Sequence, residues 1–119
     1  DLPREEVEVP EWGGSVWVRS MSGTERDAFE TSMMEEKDGK SRATNLRNIR
    51  ARMAVLCCTD DKGVRLFAYK DESAVGSKSA AALDRIFTVA QKLNGMSNED
   101  VEELAGNSEG ELTVVSTSG

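Results

Sequence analysis

A chain of 119 residues holds one domain's worth of apolar surface, and 38% apolar against 31% charged residues suits a small helical domain with a large solvated surface. A formal net charge of -7 sets it against nucleic-acid phosphates and anionic lipid, so neither nucleic acid nor membrane is an expected partner. No apolar run approaches the roughly 20 residues of a membrane span and no signal-peptide pattern is present, which makes the cytosol the expected location. Because the sequence opens on Asp1 rather than Met, it is read as a fragment or processed product.

In chain order, Val7 and Val9 alternate with Glu6 and Glu8, and Val16 and Val18 alternate with Ser15, Trp17 and Arg19. Period two on both sides of Gly13–Gly14 predicts a β-hairpin. With the glycines as a two-residue turn, Glu11 faces Val16, Pro10 faces Trp17, Val9 faces Val18 and Glu8 faces Arg19. Pro10 cannot donate to a ladder, so its strand should be an edge. Ser22 and Glu25 have capping-box spacing, which predicts a helix to about Glu36 with Phe29 and Met33 as its apolar stripe.

A charged, glycine-bearing loop follows, then a helix from about Thr44 to Cys58 with Leu46, Ile49, Met53, Leu56 and Cys57 on one face. "TDDKG" reads as a turn, "VRLFAY" as a short extended piece or a buried connector, and "KDESAVG" as one helical turn. The strongest helical period lies in "SAAALDRIFTVAQKLNG", where Leu83, Ile86, Phe87, Ala90 and Leu93 recur at three and four. Ser77 or Ser79 caps its start and Gly95 stops it. Ser97 and Asp100 open a last short helix, with Val101 and Leu104 inward and Gly106 ending it. "ELTVV" in the remaining tail is a candidate strand in a bound state.

The expected fold class is α+β: an N-terminal β-hairpin followed by three to four α-helices, mainly helical. One small domain is expected over residues 1–106, with the hairpin at 5–21 and the helical part at 22–106, and a flexible tail over 107–119.

Catalysis needs groups that are missing. Histidine is absent, which removes the commonest acid–base residue and metal ligand. There is no phosphate-cradling glycine loop and no nucleophile elbow. "DDKG" at Asp60–Gly63 lacks the alternating oxygen ligands of a calcium loop. Cys57 and Cys58 are adjacent, a strained arrangement for a disulfide, and are read as buried or half-buried free thiols. No enzyme activity, cofactor or metal is expected.

Charge is distributed more tellingly. Glu25, Asp27, Glu30, Glu35, Glu36 and Asp38 face only Arg26 and Lys37 in the first helix and its exit, whereas Lys40, Arg42, Arg47, Arg50 and Arg52 follow with no acid among them. Either the two helices match charges within one chain, or Glu30 and Glu35 of one copy meet Arg47 and Arg50 of the next, head to tail. Trp17 is expected to serve the structure by stacking on Pro10. For Trp12, beside the turn, a structural and a binding role stand level.

The stretches "EVEVPEWGGSVWVRSMSGTERDAFE", "NLRNIRARM" and "SAAALDRIFTVAQKLNGMSNEDVEEL", in this order and spacing over about residues 5–108, resemble the tail assembly chaperones of long-tailed, non-contractile bacteriophages and prophages. The resemblance implies a non-enzymatic protein of the host bacterial cytoplasm, absent from the mature virion. Such a protein binds and solubilises the tape measure protein, helps recruit tail-tube (major tail) subunits, and self-associates into a spiral or ring. It carries over no individual binding residue; Trp12, Trp17, Glu30, Glu35, Arg47 and Arg50 are interaction candidates on the arguments above. A structural virion component, such as a connector or tail-end protein, is the alternative, and finding the chain in purified particles would favour it. An acidic mimic of nucleic acid is a further one, against which the interspersed arginines argue.

Overall fold

The computed structural model describes residues 2–106; the tail expected from Asn107 lies outside the described residues. The chain opens with the expected hairpin, β1 (Arg4–Val9) and β2 (Gly14–Arg19), but in a different register. Val9 faces Gly14, Val7 faces Val16, Glu6 faces Trp17 and Arg4 faces Arg19. The expected two-residue turn gives way to a four-residue loop because Pro10 leaves the ladder: its fixed φ suits the first position of a 3-10 turn over Pro10–Trp12. Gly13 closes that turn at φ 81°, donating its N–H to the Pro10 carbonyl at 3.0 Å. The partner of Val18 moves from Val9 to Glu5, a shift of even length. All four valines therefore stay on the buried face, since only an odd slip turns a strand over.

Helix α1 (Gly23–Glu36) starts at the expected capping box: the Ser22 hydroxyl accepts from the Glu25 N–H at 3.2 Å, and the Glu25 carboxylate accepts from the Ser22 N–H at 2.8 Å. Phe29 and Met33 are its buried pair. Helix α2 (Arg42–Cys57) begins slightly before the expected Thr44, capped by Ser41. Ile49, Met53, Leu56 and Cys57 are buried as expected while Leu46 is only half-buried, and Ala51, Ala54 and Val55 bury the other sides of the second half. A helical stretch buried on all sides marks the centre of the core, and α2, whose first half keeps Arg42 and Arg47 exposed, touches α1, α3, α4, α5 and β2.

Cys58 leaves the helix for an extended conformation and with Thr59 forms β3, which lies antiparallel against β2. The sheet order is β1-β2-β3, so β1 is an edge as expected. After a 3-10 turn at Tyr69–Asp71 come α3 (Glu72–Gly76), α4 (Ala80–Asn94) and α5 (Asn98–Leu104). Ser79, not Ser77, caps α4, and Gly95 ends it in the left-handed region at φ 62°. The apolar face of α4, Leu83, Ile86, Phe87 and Ala90, belongs to one buried cluster with the valines of the sheet. Met33, Ile49 and Met53 have no exposed surface, and burial of each contributes about 1.5–3 kcal/mol. At the far end of α2 the buried Asn45 amide donates to the Lys37 carbonyl at 3.0 Å and the Ala105 carbonyl at 3.1 Å, tying the exits of α1 and α5 together.

Candidate interaction surface

Of the large apolar residues that the fold leaves exposed, Val64, Leu66 and Tyr69 lie in the connector after β3, while Leu2 precedes β1 and Met34 lies on α1. The segment after the Asp60–Gly63 turn bridges back to the sheet through Thr59 and Arg65. "VRLFAY" is thus an extended piece, but it is not buried: Val64 is 61% exposed, Leu66 42% and Tyr69 64%. Phe67 is the apolar residue of this segment that turns in, meeting the hairpin loop, while the half-buried Arg65 donates to the Val55 carbonyl at 3.2 Å. Trp12 stands edge-on to Phe67 with ring centroids 5.8 Å apart, and the Lys78 ammonium lies 5.4 Å from the indole centroid. Trp12 is therefore half-buried, neither a core residue nor a free one. Trp17 does not stack on Pro10, because the register places it opposite Glu6; the Arg4 guanidinium covers it at 4.3 Å.

A groove of ≈ 380 Å³ runs between α1 and this connector. Ala28, Phe29 and Leu56 supply its apolar lining, Tyr69 flanks it, and Arg52 sits among the carboxylates of Glu36 and Glu72. The Arg52 guanidinium donates to both Glu72 oxygens at 2.8 and 2.9 Å, to Glu36 at 3.1 Å and to the Ser32 hydroxyl at 3.0 Å. These bonds raise its pKa further, against the opposing effect of burial, so it holds α1, α2 and α3 together as a permanent cation. At the other end, Arg19 makes a two-pronged pair with Glu25 at 2.8 and 2.9 Å. That pair replaces the expected Glu8–Arg19 contact. The Arg19 bonds and those from Ser22 hold the Glu25 carboxyl at about 2.

Most of the basic residues of α2 are committed within the chain. Arg50 pairs with Asp84 of α4 at 3.1 Å, Arg42 with Glu102 of α5, and Arg52 with Glu36 and Glu72. Matching inside one chain therefore describes these cations, although their partners come from four helices rather than α1 alone. Arg47 remains exposed, beside Asn48, Ser73 and Ser77 in a second groove between α2 and α3. On α1, Glu30 pairs with Arg26 one turn away at 3.2 Å, while Glu35 is exposed next to the exposed Met34. The structure thus does not gather the six candidates into one site. Trp12 packs on Phe67, Trp17 lies on the sheet, Glu30 and Glu35 lie on α1, and Arg47 and Arg50 on α2.

Two elements of the surface had weak or no signal in the sequence. Arg52 was one charge in a basic run, and nothing local marked it as the residue shared by three helices. Phe67 became the seat of Trp12 only through the contact of the hairpin loop with a segment more than fifty residues away.

For chemistry the described residues offer little. Burial pushes the Cys57 thiol to about 11 and the Cys58 thiol to about 12, so neither is a thiolate at neutral pH. No group of three or more acidic or cysteine side chains among the described residues is placed to hold a metal ion, and no helix among them is long and apolar enough to cross a membrane.

No functionally curated protein matches the sequence. The fold is similar to that in "Structure of bacteriophage HK97 tail assembly chaperone", with a TM-score of 0.61 over 77% of this chain and 85% of that one, at 19% identity. A family model described as phage tail assembly chaperone matches residues 3–107, almost the whole described region. The chain belongs to the phage tail assembly chaperone family.

Proposed function

We propose that this chain is a non-enzymatic chaperone that binds the phage tape measure protein, keeps it soluble in the host bacterial cytoplasm and helps recruit tail-tube subunits around it, leaving before the virion is complete. One observation carries the reading: Tyr69 stands exposed at a groove with an apolar floor, and Val64 and Leu66 of the same connector are exposed too, on a chain of net charge -7. A ridge of this kind covers the apolar face of a client helix, and the acidic body keeps the complex in solution. Many copies along a long client add weak contacts into firm retention, so no deep pocket is required. Self-association would use charges still turned outward, such as Arg47 and Glu35; Arg50 is already held by Asp84.

Co-expression with the tape measure protein of the same phage tests this directly. The intact chain should bring the client into the soluble fraction and co-purify with it, and the double variant Leu66→Asp, Tyr69→Asp should fold yet lose that capacity. A client that stays insoluble beside the intact chain, or one rescued equally by the double variant, overturns the proposal.

A further inference from the structure

The edge strand β1 lies at the opposite side of the sheet from the connector that carries Tyr69. The phase of its ladder is set by the Ser20 N–H, which donates to the Pro3 carbonyl at 3.0 Å, one step beyond the Arg4–Arg19 pair. Bonded and unbonded pairs alternate in an antiparallel ladder. Glu5, Val7 and Val9 therefore bond to β2, while Arg4, Glu6 and Glu8 aim their backbone N–H and C=O groups outward. One of these outward carbonyls, that of Glu8, accepts from Arg85 at 3.3 Å, consistent with that phase. Among the described residues nothing bonds the outward N–H and C=O of Glu6. An unpaired strand edge is a ready template for a further strand.

The side chains around this edge restrict what fits. Glu6 and Glu8 are exposed and have no ion-pair partner among the described residues, in contrast to Glu5, held by Lys92 at 2.7 Å, and Glu11, held by Arg85. Arg85, Val89 and Lys92 fall on one face of α4 by helical spacing, and the half-buried Val89 lies between the two cations that reach β1. A strand added here meets free carboxylates on its solvent side and an apolar residue flanked by cations on the other.

We propose that the outer edge of β1 is a strand-addition site for an extended segment of another protein that carries Lys or Arg at alternate positions and small apolar or neutral residues between them. Its backbone pairs with Arg4, Glu6 and the Glu8 N–H, and its cations pair across the strand with Glu6 and Glu8. Arg85 closes the end of the site nearest the hairpin loop.

The test uses the full chain and the acetylated, amidated peptide Lys-Val-Lys-Thr-Lys-Val, followed by amide shifts and amide exchange. Peptide should slow exchange at Glu6 and Glu8 by at least about tenfold and leave the already bonded Val7 and Val9 unchanged. Double replacement Glu6→Gln, Glu8→Gln should weaken binding about tenfold. A peptide methylated at alternate backbone nitrogens should not bind, and Glu6→Pro, which removes an outward donor only, should lose the peptide while keeping the fold. Equal binding of the methylated peptide would mean attraction by charge alone and overturns the proposal. So would shifts centred on Asp27 and Glu35, or no binding at all, in which case the carboxylates serve to keep strands away. Slow exchange at Glu6 without peptide, rising with protein concentration, would assign the edge to a second copy instead and equally overturn it.

Discussion

Arg52 is the charge whose removal should cost the fold most. Its bonds to Glu72, at 2.8 and 2.9 Å, join side chains only 14% and 25% exposed, where a hydrogen bond to a charged group is worth about 1.5–3 kcal/mol. The Glu36 contact is more open, with that side chain 44% exposed, and adds about 0–1 kcal/mol. Arg52→Gln therefore loses about 2–3 kcal/mol, with the Glu72 carboxylate left half-buried and without its cation. For a chain of this size that corresponds to a fall in Tm of about 10 °C. Arg52→Lys keeps the charge but not the planar fork, and should lose about half as much. Urea unfolding followed by far-UV circular dichroism measures both, with Lys40→Met as the control, since Lys40 reaches the same Glu36 only at 4.0 Å. An Arg52→Gln chain no less stable than that control would show that Arg52 does not hold the three helices together.

Three further outcomes follow from the same structure. Glu25, held at about 2 against an ordinary 4.5, stabilises the fold where it is ionised in both folded and unfolded states; that contribution, about 1 kcal/mol after solvent screening, is full above about pH 5 and is lost as pH falls toward about 2. The stability gap between the native chain and Glu25→Gln should accordingly shrink between about pH 6 and about pH 2.5, and a constant gap would contradict it. Gly13→Ala should cost about 1–2 kcal/mol, because φ is 81° although nothing lies within 4 Å of a new Cβ, whereas Gly14→Ala should stay within about 0.5 kcal/mol. Equal costs in thermal melts would favour a turn that needs both glycines. Cys57 and Cys58 should react with a disulfide reagent at about pH 8 only at the rate of unfolding, with the rate measured against urea; immediate labelling in the native state would show that they are not buried.

The helices were legible because each is announced by residues a few positions apart. Ser22 with Glu25 and Ser97 with Asp100 are capping boxes whose partners sit within one turn, and Gly95 ends α4 by its own backbone freedom. The buried stripes of α1 and α4 likewise repeat within single elements. The valine face of the hairpin survived a wrong register because period two is insensitive to an even shift.

What tertiary structure decided is everything that depends on which element lies across the gap. Pro10 turned a glycine-glycine turn into a longer loop, and with the register went the partner of Arg19, which is Glu25 rather than Glu8. Cys58 continues the helical pattern in sequence but is drawn into β3 because β2 has a free edge beside it. The basic run in α2 fits partners in the same chain or in another copy; Asp84, Glu72 and Glu102 arrive from three other helices to meet Arg50, Arg52 and Arg42, a match that no local pattern announces. The hairpin and helices follow from local sequence, whereas the open edge of β1 and the exposed ridge at Tyr69 emerge only after long-range packing has chosen which groups to cover.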